Sequence, residues 1–110
     1  GWWKDRRGAM ARLVEQLERW AAAEGRQVTV VFEKPLSPPL RSSVIEVAHA
    51  PRVGANSADD EIVRLVRADR HPAAITVVTS DGTLADRVRA LGAAVHPAAG
   101  FRARLEAAGG

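Results

Sequence analysis

Glu33, Asp59 and Asp81 are the residues whose type and placement could do chemistry, because each falls where an apolar segment ends or a helix begins. Carboxylates drawn from separate elements to one place form a hard oxygen-donor set. Such a set suits a divalent cation that keeps several waters and touches a substrate phosphate. Each acid also has an ordinary alternative. Glu33 can be a solvated loop residue, and the two readings weigh about evenly for it. Asp59 can simply sit in the favourable field of a helix N-terminus, worth a few tenths to about 1 kcal/mol. Asp81 can initiate a turn helped by Gly82.

Neighbouring acids have structural occupations that leave these three over. Ser57-Ala58-Asp59-Asp60 fits a capping box with Ser57 as N-cap and Asp60 at the third helical position. Asp59 then shares a helix face with Ile62, Val63 and Val66, at the inward edge of an apolar stripe. Thr83-Leu84-Ala85-Asp86 fits a second capping box, which assigns Thr83 as N-cap, Asp86 to the third position, and places Asp81 outside the helix. On this count function is the better reading for Asp59, and Asp81 is the first acid to single out.

The elements that must position these acids follow from periodicity. Met10, Leu13, Val14, Leu17, Trp20 and Ala21 recur at helical spacing between Asp5 and Glu24, and Gly25 is placed to end the helix as C′. Val28 to Phe32 is a β-branched apolar run of the kind buried on both faces of a parallel sheet, ending at Glu33. After a loop punctuated by Pro35, Pro38 and Pro39, Val44 to Ala48 reads as a strand nearer an edge, because Glu46 interrupts it. The pattern then predicts a helix from Ala58 to Asp69, a strand from Ala74 to Thr79, a helix from Thr83 to Leu91 closed by Gly92, a strand at Ala93 to His96 and a helix from Phe101 to Ala107. Strands alternating with helices imply an α/β fold with a mostly parallel sheet, whose strand C-termini share the edge where such folds bind ligands. Glu33 and Asp81 both fall on that edge.

Composition narrows the chemistry. The chain has 110 residues, enough for one hydrophobic core, and a single domain over 1–110 is expected. Without cysteine, disulfides, thiolate zinc sites and Cys nucleophiles are all excluded. No apolar run approaches a membrane span and the N-terminus has no signal-peptide pattern, so the reading is cytoplasmic. Fourteen arginines against two lysines give a net charge of +3, which points only weakly to nucleic acid, since twenty-one alanines suggest the coding bias of a GC-rich genome.

Other candidates carry less. His49, His71 and His96 lack metal-ligand spacing and read as surface or turn residues. Ser42, Ser43, Thr79 and Ser80 have no matching histidine and acid for a nucleophilic triad, and Gly-rich phosphate loops are absent. Trp2 and Trp3 can stack on bases, but packing is the commoner use.

Gly1-Trp2-Trp3-Lys4-Asp5-Arg6, Val30-Val31-Phe32-Glu33, Ala58-Asp59-Asp60-Glu61-Ile62 and Val77-Val78-Thr79-Ser80-Asp81, in this order and spacing, resemble the PIN-like NYN domain of bacterial YacP-type proteins, especially the actinobacterial form. The resemblance covers nearly the whole chain. It implies a three-layer α/β/α fold and a metal-dependent endoribonuclease acting on RNA. In that reading Asp59 and Asp81 stand where the family's metal-binding acids stand, Glu33 matches a less strictly held acidic position, and the cofactor is Mg²⁺ or Mn²⁺. Arg6, Arg7 and Arg12 on the first helix and Arg52 in the loop before Asp59 are candidates to hold the RNA backbone. The alternatives are a catalytically inactive module binding RNA or a ribosome, and a protein-interaction domain.

The resemblance further implies a first strand, ending in an Asp-Gly-x-Asn-Val-like motif, that lies between the strands ending at Glu33 and Asp81. The sequence begins after that motif, so a PIN-like domain truncated before its first strand is expected. The two flanking strands are expected either to pair directly or to receive a strand from another chain, by homodimerisation or strand exchange.

Overall fold

A computed structural model describes residues 2–33, 38–51, 54 and 57–109, with side chains described between 7 and 107. Helices and strands alternate as α1 (Trp2–Glu24), β1 (Thr29–Phe32), β2 (Glu46–His49), α2 (Ser57–Ala68), β3 (Thr76–Val78), α3 (Gly82–Ala90), β4 (Ala94–His96) and α4 (Ala98–Gly109). Every expected element is present. The largest shifts are at α1 and α4, which start earlier than expected at Trp2 and Ala98, while Ala74, the expected first residue of β3, instead closes a 3-10 turn at Pro72–Ala74.

Two glycines set the exits from helices. Gly25 follows α1 at φ 64°, and the Arg26 N–H reaches back to the Ala21 carbonyl at 3.0 Å. Gly92 follows α3 at φ 98°, where its own N–H bonds the Arg89 carbonyl at 2.9 Å and the Ala93 N–H bonds that of Val88 at 3.1 Å. Both are Schellman turns, in which a left-handed residue at C′ satisfies the last carbonyls of the helix.

The strands form two separate parallel pairs. β1 runs beside β2 with Thr29 opposite Glu46 and Phe32 opposite His49; β3 runs beside β4 with Thr76 opposite Ala94 and Val78 opposite His96. This is the alternating, parallel α/β architecture expected of a PIN-like fold, with its sheet in two ribbons. Direct pairing of β1 with β3 does not occur: among the described residues no ladder joins the ribbons.

The pairing fixes which backbone groups are left over. In a parallel ladder alternate residues of a strand point both N–H and C=O at the same neighbour. The Glu46 and Ala50 N–H groups bond the Val28 and Phe32 carbonyls, so Thr29 and Val31 point away from β2. Ala94 donates to Ile75, and Thr79 to His96, so Thr76 and Val78 point away from β4.

The apolar interior divides along the same line. Val14, Leu17 and Ala21 of α1 close on Ile45 and on Leu105 of α4, with Val30, Phe32 and Val47 packed against them. Here Trp20 meets Phe101 edge to face with ring centroids 5.0 Å apart. Val63 and Val66 of α2, Val77 of β3, Leu84 and Val88 of α3 and Ala93 make the second cluster. No helix among the described residues is long and apolar enough to cross a membrane.

Candidate functional site

Two contacts between elements and one helix cap position the acids. The first is at the end of β1, where the Ser57 hydroxyl donates to the Glu33 carbonyl at 3.4 Å and so holds the first turn of α2 beside Glu33. Ser57 is itself the first residue of α2, and its hydroxyl points to β1 instead of capping the helix as expected. The second runs from α3 to α2, where Arg87 Nη1 donates to Asp60 Oδ1 at 2.9 Å. Asp60 therefore serves as an ion-pair partner across two helices, and the capping-box assignment for it does not hold.

The third is the start of α3. Asp81 is the N-cap residue, with its Oδ1 accepting from the Thr83 N–H at 2.8 Å and the Leu84 N–H at 3.1 Å. The expected capping box at Thr83 and Asp86 is displaced by two residues, because Asp81 has the extended backbone a cap requires and its carbonyl already accepts from Ala85. Asp86 faces Arg89 at 3.9 Å on the exposed side. Asp81 thus has a structural duty at one oxygen and keeps lone pairs on the other.

Asp59 lies between these acids, half-buried on the inward side of α2 as its position in the apolar stripe predicts. It accepts no hydrogen bond among the described residues. Burial pushes its pKa above the ordinary aspartate value, and the negative charges of Asp81, Asp60 and Glu33 push the same way, while Arg87 opposes them. Glu33 is exposed at the end of β1.

The donor chemistry fits a hard divalent cation, which takes carboxylate oxygens and, for Mg²⁺, keeps most of its waters with only one or two protein ligands. The spacing is wider than a closed cage: among the described residues no three histidines or acids stand close enough to hold a metal ion.

The chain matches the family described as the YacP-like NYN domain over residues 4–109. It belongs to that family. Comparison with curated proteins and with solved structures returns no match. The NYN family is PIN-like and implies nuclease activity, typically metal-dependent, with RNA as the suggested substrate.

Of the arginines expected to hold RNA on this NYN domain, Arg7 and Arg12 have described side chains. Arg52 and the side chain of Arg6 lie outside the described residues. Arg7 is half-buried and gives Nη2 to the Pro38 carbonyl at 2.7 Å, which makes it a tie between α1 and the proline loop. Arg12 is exposed on α1. Neither Arg7 nor Arg12 is among the charges that shift Asp59; Arg87 is, and no sequence pattern pointed to it. Its partner lies 27 residues away, and such a pairing has no local signature.

Two further side chains differ from a purely local reading. Glu61 is buried and gripped by Arg64 through bonds of 2.7 and 2.6 Å, which hold its pKa below the ordinary value. His96 is a half-buried packing residue whose ring meets Phe101 edge to face at 6.0 Å.

Proposed function

We propose that this domain is a metal-dependent endoribonuclease that hydrolyses RNA phosphodiester bonds at the rim formed by Glu33, Asp59 and Asp81. The observation that carries it is Asp59: a half-buried carboxylate that accepts no hydrogen bond among the described residues, made harder to ionise by burial and by Asp81, Asp60 and Glu33. Acids set against one another in this way store electrostatic repulsion that a cation relieves, and such perturbed groups gather at functional sites.

A bound Mg²⁺ or Mn²⁺ supplies positive charge at the phosphate and an acidified water. Asp59 and the free oxygen of Asp81 are the protein ligands in this reading. Capping fixes the Asp81 side chain, so little ordering is needed when it is used. Glu33, exposed and close to the first turn of α2, would accept the proton of the attacking water in this reading. The reading has a competitor in RNA binding without turnover, favoured by the wide spacing of the acids.

Titrating Mn²⁺ while following side-chain carboxyl resonances separates the two. Selective broadening at Asp59, Asp81 and Glu33 is expected for the nuclease. Asp59→Asn should then lower RNA cleavage by at least the 10- to 100-fold that loss of even an outer-shell partner of a metal costs. Diffuse broadening, with cleavage unchanged in Asp59→Asn, would rule out the assignment.

A further inference from the structure

Arg87 stands out among the arginines for where it is held. Its Nη1 meets Asp60 Oδ1 at 2.9 Å, and Asp60 is adjacent in sequence to Asp59. The contact uses one of five N–H groups, so most of the guanidinium fork has no protein partner among the described residues. Arg64 contrasts with it, spending Nε and Nη2 together on Glu61. Arg89 leans towards Asp86 along its own helix, and Arg7 is committed to the Pro38 carbonyl.

The rim needs a cation of this kind. Glu33, Asp59, Asp60 and Asp81 repel an incoming phosphodiester, and Arg87 is held against Asp60, next in sequence to Asp59. The pair it makes is open to water, with Arg87 41% and Asp60 66% exposed. An exposed pair of this sort contributes about 0–1 kcal/mol, so exchanging the partner costs little. Phosphate oxygens match the fork in two-point geometry better than a single carboxylate oxygen does.

We propose that Arg87 is the substrate-gripping residue of this site, leaving Asp60 to hold an RNA phosphate beside the acidic rim. The inference rests on the nuclease reading for its substrate, and adds a residue to which that reading assigned nothing. Asp60 is the partner of the guanidinium in the free protein and competes with the phosphate for it.

The test uses the chain as it stands and a fluorescent single-stranded RNA. Cleavage is measured for the wild type, Arg87→Ala, Arg87→Lys and Asp60→Ala. Binding is measured in the Asp59→Asn background, where cleavage is slowed. Arg87→Ala is expected to raise both KM and Kd about tenfold, the loss of one charged hydrogen-bonded contact, with kcat within about threefold of wild type. It should also flatten the dependence of log Kd on log salt by about 0.7, the share of one single-strand phosphate. Arg87→Lys should recover part of the loss.

Asp60→Ala removes the same ion pair while leaving the arginine, so it should keep or lower KM. If Asp60→Ala raises KM as much as Arg87→Ala does, the pair is a tie between helices and the proposal fails. An unchanged Kd and salt slope in Arg87→Ala also overturns it. A wild type that binds RNA without cleaving it sinks the nuclease reading, while Arg87→Ala still decides the grip through binding alone.

Discussion

The Ser57 hydroxyl donates to the Glu33 carbonyl at 3.4 Å, hooking the first turn of α2 to the end of β1. Through that contact a loop acid and a helix acid, 26 residues apart in sequence, come under one another's charge, and Asp59 registers Glu33 as one cause of its raised pKa. The same rim carries Asp81, which has both a structural and a proposed chemical duty.

Those duties separate by substitution. Asparagine caps a helix about as well as aspartate, whereas alanine in place of an N-cap costs about 0.5–2 kcal/mol. Asp81→Asn should therefore keep the denaturant midpoint near wild type, and Asp81→Ala should lower it. Both should lose metal-dependent RNA cleavage to a similar degree. If cleavage instead falls in step with stability across the two variants, Asp81 is a cap only.

Asp59 makes stability depend on pH in a direction opposite to a salt-bridged acid. Its folded pKa is raised above the ordinary aspartate value, so the folded state holds the proton more tightly than the unfolded chain. Stability from this group is full below the unfolded pKa and is lost as pH rises through the folded pKa. Asp59→Asn should thus raise the melting temperature at neutral pH and leave it unchanged below the unfolded pKa. A variant less stable than wild type at neutral pH would refute the reading.

The divided interior predicts two units of differing protection. Val88 is 0% exposed at the centre of the cluster between α2, β3, α3 and β4. Val88→Ala should cost about 1.5–3 kcal/mol from lost burial and the residual cavity. Native-state hydrogen exchange should show protection falling more in α3 and β4 than in α1 and β1. Equal losses throughout would show that the clusters open as one.

Val78 lies on the edge of β3 that points away from β4, and it is 39% exposed. An apolar strand edge with unpaired groups is a template for another chain, and a lysine there discourages pairing. The wild type should associate as its concentration rises, and Val78→Lys should shift that onset to higher concentration in light scattering. Identical behaviour of the two proteins would exclude this edge as the point of association.

By itself the sequence determined the order and type of the elements, because period, punctuation and β-branching are local properties. Gly25 ends α1 with a left-handed turn as its position predicts, the run before Glu33 forms β1, and Asp59 sits on the inward side of α2. The caps were less legible. Ser57 and Thr83 fit the capping pattern, but a hydroxyl near a strand end can find a better-placed carbonyl, and an aspartate two residues earlier captured the N–H groups of α3. Only the tertiary structure decided that the strands pair as two ribbons and that the apolar interior divides with them. It alone joined Arg87 to Asp60, since a contact across 27 residues depends on how two helices pack and leaves no trace in spacing.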